Sequence, residues 1–251
     1  MIFFGIPLRS KAASNDWGKV EKIFNRTLRS IYRQTCPDFR IIVACHDIPV
    51  PEQTYDDRVE FLVSDAPLPT SRREMMLDKG WKLSMIAKRV RELGSGYVMM
   101  VDSDDLISDR IAQFCAEHPD ENGFLSGNGY VYNEGLAYAK KIHKIYGICG
   151  SCAIVNYRPE DLPEELPVGI SDEEVQRRFV FRRSHRQIPE DLAAAGRPLA
   201  PLPFPGVVYV RNTGDNHSML GGNDLSWKRK LELAISPRIP IEGKLKDEFG
   251  F

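Results

Sequence analysis

An open, mostly parallel α/β sheet flanked by helices is the fold class this sequence predicts, and three observations carry it. Short, almost continuously apolar segments such as IFFGIP (2–7), RIIVACHD (40–47) and YVMMV (97–101) have the character of strands buried on both faces. Between them run segments whose apolar residues recur at three and four, the helical period. The strands end on carboxylates, Asp47, Asp65 and Asp102 to Asp105, at the edge where open α/β sheets bind ligands.

In chain order, IFFGIP is a first strand stopped by Pro7 and followed by the loop LRSKAASND. Trp17 to Gln34 is an amphipathic helix with Val20, Ile23, Phe24, Thr27, Leu28 and Ile31 on one side, and Pro37 stops it. RIIVACHD is the second strand; after the proline-bearing loop IPVPEQTYDD, VEFLVSD is the third. Ser71 to Leu93 is a long helix with Met75, Trp81, Met85, Ile86, Val90 and Leu93 on its apolar face. Arg72, Arg73, Lys79, Lys82, Lys88, Arg89 and Arg91 form its polar face, and Gly94 and Gly96 close it before the strand YVMMV. In the second half FLSGNGYVYN and GSCAIVNYRP are expected strands and SDEEVQRRFVFRRSHRQI a helix. PLAPLPFPGVVYVRNTGDNHS is a proline-rich approach to one more strand, and from about Leu225 mixed charge and proline predict a surface-hugging tail.

A chain of 251 residues holds one large α/β domain or two small ones, and one main core is expected. With 42% hydrophobic and 27% charged residues the composition is that of a globular protein that folds alone. A formal net charge of −1 gives no global reason to bind nucleic acid. No run approaches the ~20 apolar residues of a membrane span, and MIFFGIPLRS does not read as a signal peptide, so a cytoplasmic location is expected. The five cysteines, an odd number in a chain too large to need staples, are expected to be free thiols. Cys149 and Cys152 form a CxxC that lacks the second pair or His partner a zinc site wants.

The strand YVMMV runs directly into Asp102, Asp104 and Asp105. Carboxylates this close repel one another and raise the pKa of at least one unless something compensates. A divalent ion, Mg²⁺ or Mn²⁺, is the simplest compensation, held by one or two carboxylates together with substrate phosphates. The plain structural alternative is an Asp-rich turn that caps a helix starting near Ser108 or Asp109. A calcium loop of the EF-hand type fails, because Leu106 and Ile107 occupy its fifth and sixth positions. A phosphatase of the haloacid dehalogenase type shares the Asp-x-Asp after an apolar strand, but usually continues with Gly or Thr and lies near the N-terminus.

Taken together, the helix NRTLRSIYRQT leading to RIIVACHD, the long helix before YVMMVDSDDLI, then GSCAIVNYR and SDEEVQRRF, resemble the GT-A glycosyltransferases, especially those of family 2. The resemblance covers roughly the first 180 residues. It implies a GT-A fold over residues 1–224, with 1–107 the nucleotide-binding half, 108–224 the acceptor-binding half and 225–251 a C-terminal tail. It also implies a nucleotide-diphosphate sugar donor and Mn²⁺ or Mg²⁺ as cofactor. Asp102 then falls where the family contacts donor ribose or metal, with Ser103 beside it on the donor, Asp104 where it ligates the metal, and Asp105 where a neighbour supports the loop. His217, in the late polar loop RNTGDNHSM, resembles the His that completes the metal site in many such enzymes, whereas His185 reads as a helix-surface or helix-end residue. In VGISDEEVQRRF, Asp172 matches the catalytic base of an inverting transfer, with Glu173 second; plain structure gives Ser171 or Asp172 as an N-cap.

By the same resemblance Asp47 matches the nucleobase contact, which favours a UDP-sugar. Pro7 to Arg9 lie where base and ribose sit, and Arg72 and Lys79 are within reach of the diphosphate. The chain departs from the family in having His46-Asp47-Ile48-Pro49 where Asp-Asp-Gly-Ser is usual. The acceptor implied is a glycan or lipid-linked molecule, with at most peripheral membrane association. A nucleotidyltransferase is the enzymatic alternative, weakened because GIPLRSK has one glycine where a phosphate loop wants several; a non-catalytic sugar-nucleotide-binding module is the other.

Overall fold

The computed structural model describes residues 1–212 and 227–251 and is a mixed α/β structure built on two mixed sheets. The first half follows the order expected: β1 (Ile2–Pro7), α1 (Trp17–Tyr32), β2 (Phe39–Cys45), β3 (Val59–Val63), α2 (Arg72–Glu92) and β4 (Gly96–Met100). These four strands are mutually parallel in the spatial order β3-β2-β1-β4. Their continuous apolar runs feed two cores at once. Ile2, Phe4, Ile6, Ile41 and Val43 point to the side where α1 packs Val20, Phe24, Leu28 and Ile31. Phe3, Ile42, Ala44 and Val98 point to the other side, against Ile86, Ala87 and Val90 of α2. Alternation along each strand gives one residue to each layer, so both must be apolar.

Both helices start on side-chain caps. Asp16 Oδ1 accepts from Lys19 N at 3.0 Å, and Ser71 with Glu74 forms a reciprocal capping box. α2 lies so close to β1 that a Cβ on Gly5 would come within 2.6 Å of Ile86 Cγ2 and 2.8 Å of Met100 Sδ. Gly5→Ala is therefore expected to lower stability by about 1–3 kcal/mol through overpacking, read as a lower urea midpoint at unchanged slope. An unchanged midpoint would mean that α2 does not sit this close.

The second half corrects the expectation of one mostly parallel sheet. After β5 (Leu106–Ile107) and α3 (Ile111–Glu117), the segment FLSGNGYVYN splits into β6 (Gly123–Leu125) and β7 (Asn128–Asn133), which belong to different sheets. A short turn then returns the chain as β8 (Tyr138–His143), antiparallel to β7, as so short a connection requires. β9 (Ala153–Tyr157) inserts antiparallel between β4 and β6. With β10 (Ala200–Pro201) the first sheet reads β10-β6-β9-β4-β1-β2-β3. The second reads β12-β8-β7-β11-β5, with β11 at Val207–Arg211 and β12 at Arg238–Pro240.

Two helical expectations also change. The segment 171–188 is not one helix: α4 (Asp172–Arg178) stops where Phe179 turns extended, and α5 (Ile188–Ala194) starts afresh. Phe179 and Phe181, two apart, cannot share a helical face; the break lets Phe181 bury while the two rings lie 5.5 Å apart. The C-terminal segment is more than a surface tail. Beyond α6 (Trp227–Ile235), β12 adds to the edge of β8, and α7 (Gly243–Phe249) buries Leu245 and Phe249 against the second sheet. Among the described residues no helix is long and apolar enough to cross a membrane.

Candidate functional site

The strand order reverses at β1. α1 carries the chain from β1 outward to β2 on one face, and α2 brings it back on the other face to β4. A crevice therefore opens beyond the carboxyl ends of β1 and β4. A cavity of about 430 Å³ lies there, lined by Pro7 and Arg9 from β1 and the loop after it, Asp102, Ser103 and Asp104 from the loop after β4, and Arg72 and Lys79 from α2. A second cavity of about 480 Å³ shares Pro7, Lys79, Asp102, Gly150 and His185 with the first and extends to Tyr157, Asp172 and Arg182.

The acidic loop is held from below. Asp105 is wholly buried: its Oδ2 is 2.7 Å from Ser151 Oγ and 3.2 Å from Cys149 Sγ, and its Oδ1 accepts from Val210 N at 3.2 Å. Burial, then the like charges of Asp104 and Asp102, pushes the Asp105 carboxyl well above the usual range. The same Ser151 Oγ accepts from Asp102 N at 2.8 Å, and Thr27 Oγ1 donates to Ser103 O at 3.1 Å. Gly150 lies flat against the acid, since a Cβ there would come within 2.8 Å of Asp102 Oδ2. Cys149 and Cys152 are buried free thiols, and Cys149 supports the acidic loop through its bond to Asp105.

Lys79 Nζ stands 2.5 Å from Asp102 Oδ1. Asp102 raises the Lys79 pKa above its usual value against the opposing effect of burial, with Asp104 and Asp105 adding to it. Asp102 and Asp104 offer hard oxygen donors on one wall, a set that fits Mg²⁺ or Mn²⁺ bound jointly with phosphate oxygens. Among the described residues no three His, Cys, Asp or Glu side chains are grouped to hold an ion, and His217, the expected third ligand, lies outside them.

Of the expected donor-side residues, Pro7, Arg9, Arg72, Lys79, Asp102 and Ser103 line the first cavity together with Asp104. Asp47 does not: its Oδ2 accepts from Lys11 N at 2.8 Å and anchors the turn after β1 instead. Asp172 lines the second cavity, with Oδ1 paired to Arg182 and Oδ2 accepting from Gln176 Nε2 at 2.6 Å. Glu173 is exposed and lines neither cavity, because the helix carries it to the solvent side one residue on.

Three lining residues were not expected. His185 is no helix-surface residue; it sits where the two cavities meet, its Nε2 buried without a hydrogen-bond partner among the described residues. Burial lowers its pKa below the usual imidazole value, opposed by Asp102. Lys82, assigned to the polar face of α2, is 1% exposed and lies with Asp78 on the first cavity's wall. Its Nζ is 2.6 Å from Asp78 Oδ2, and Asp78 Oδ1 is 2.8 Å from His46 Nε2. The only hint in the sequence was the i, i+4 spacing of Asp78 and Lys82, which a surface pair shares. No known family model matches this chain, and no curated protein matches it either.

Proposed function

We propose that the chain is a metal-dependent glycosyltransferase of GT-A architecture, moving a sugar from a nucleotide-diphosphate donor, a UDP-sugar by preference, to a glycan or lipid-linked acceptor with inversion. One observation carries this reading: Asp102, Ser103 and Asp104 line a cavity at the β1/β4 switch point together with the cations Arg72 and Lys79, and that cavity joins a second one. Two cations beside a carboxylate pair that could hold a divalent ion suit a diphosphate, and a sugar acceptor needs a separate space across the reacting carbon.

In this reading Asp102 and Asp104 would hold Mn²⁺ or Mg²⁺, which when bound would supply positive charge to the nucleoside diphosphate leaving group. Arg72 and Lys79 face the same diphosphate. The acceptor hydroxyl oxygen bonds to the anomeric carbon as the carbon–oxygen bond to the diphosphate breaks. The hydroxyl proton passes to Asp172, whose carboxylate Gln176 and Arg182 orient at the second cavity. A second reading, a sugar-nucleotide-binding module without turnover, is favoured by that same engagement of both Asp172 oxygens.

Thermal unfolding with UDP, GDP, CDP and TDP, each with and without Mn²⁺, tests the donor site in the wild type and in Asp104→Ala. A ligand at about a hundred times its Kd adds ~2.7 kcal/mol, a shift of a few degrees. The expected result is a shift for UDP that needs both Mn²⁺ and Asp104. No shift with any nucleotide would remove both readings; a shift without turnover of any UDP-sugar would favour the binding module.

A further inference from the structure

Helix α6 presents apolar side chains on two sides. Leu233 packs toward the core, whereas Trp227, Leu231 and Ile235 are 70%, 54% and 77% exposed. At i, i+4 and i+8 these three span an arc of only about 80° of the helix. Clustered exposure of this size is the mark of a contact surface.

On the neighbouring side of the same helix lies a hollow of about 340 Å³ between α6 and the second sheet. Its charged lining is Lys140, Arg211 and Lys230, and among the described residues no Asp or Glu lines it. Lys140 Nζ donates to Leu233 O and so ties helix and hollow together. The surroundings have the same sign: Lys141 and Lys144 stand exposed at β8 and Arg238 on β12, and the sequence of α6 holds a single Glu. That Glu, Glu232, faces β8, where its Oε1 accepts from His143 N at 3.3 Å.

A soluble anion would satisfy the hollow and leave the stripe in water. An apolar groove on another protein would cover the stripe and gain nothing from the cations. An anionic bilayer meets both needs, because its headgroup phosphates lie directly above the acyl boundary. We propose that α6 and the Lys140–Arg211–Lys230 hollow dock on an anionic phospholipid surface, with Trp227, Leu231 and Ile235 entering the headgroup region and the cations receiving phosphate groups. This does not rest on the proposed transfer reaction.

Co-sedimentation of the full chain with vesicles tests it, using phosphatidylcholine alone and phosphatidylcholine mixed with phosphatidylserine. The wild type is expected on the mixed vesicles only. Replacing the exposed Leu231 and Ile235 together by Ser abolishes binding at an unfolding temperature close to that of the wild type. Arg211→Gln weakens binding about fivefold, the worth of one cation near an anionic surface. A wild type that ignores both vesicle types, or binds both equally, overturns the proposal. So does undiminished binding by the Ser variant.

Discussion

Lys82→Met should lower the stability of the folded chain by about 3–5 kcal/mol, the usual cost of removing one partner from a buried ion pair. Lys82 is almost wholly enclosed, and the Asp78 and His46 side chains that complete its chain of contacts are 8% and 7% exposed. Desolvation lowers the Lys82 pKa despite Asp78. Without the ammonium, Asp78 keeps a buried negative charge with only His46 to answer it. The double variant Asp78→Asn/Lys82→Met removes both charges and is expected to return to within about 1 kcal/mol of the wild type, His46 still bonding to the amide. Urea midpoints at constant slope measure the wild type, Lys82→Met, Asp78→Asn and the double variant. If the double variant costs the sum of the two single ones, the pair contributes no coupling and the account of this wall is wrong. Because Asp78 and Lys82 line the first cavity, ligand binding there is expected to weaken in the single variants as the wall relaxes.

The first half of the fold was legible because its strands are buried twice over. Alternate residues of IFFGIP and RIIVAC serve the α1 and α2 layers, so hydrophobicity alone marked both strands and their parallel order. The second half depends on close approaches that no pattern announces. A Cβ on Gly129 would come within 2.4 Å of Ile145 Cδ1 and 2.9 Å of Val207 O, so β7 can pack as it does only with glycine there. Nothing in the string FLSGNGYVYN says that its first and last residues belong to different sheets.

The site divides in the same way. Asp102 to Asp104 stand out in the sequence because a charged run after a buried strand is conspicuous, and the switch point puts the end of that strand at the first cavity. Lys82 and His185 were missed because period and polarity send such residues to water. Their burial is a tertiary fact: Lys82 is covered where α2 meets the ends of the strands, and His185 where the segment after α4 folds back over the junction of the cavities. Asp47 shows the converse. Its position at a strand end was right for a ligand contact, yet the backbone of Lys11 had prior use for its carboxylate.

Asp105 should make stability depend on pH in a direction opposite to that of most paired carboxylates. Its folded pKa is raised well above the ordinary value, chiefly by burial and then by Asp104 and Asp102. The folded chain therefore keeps a proton that the unfolded chain releases near the ordinary carboxylate pKa of about 3.9. Its contribution is fully present below that unfolded value and is lost as pH rises through the folded one. Within this window the loss runs at up to about 1.4 kcal/mol per pH unit. Asp105→Asn removes the titration while keeping an oxygen for Val210 N and placing its amide near Ser151 Oγ. Urea unfolding of both chains in buffer with a chelator, from about pH 5 to pH 8, follows the difference while groups remote from Asp105 cancel. The wild type should lose stability relative to Asp105→Asn as pH rises. A difference that stays constant, or moves the other way, would mean that Asp105 is ionised in the folded chain, and the loop after β4 would then carry three negative charges rather than two.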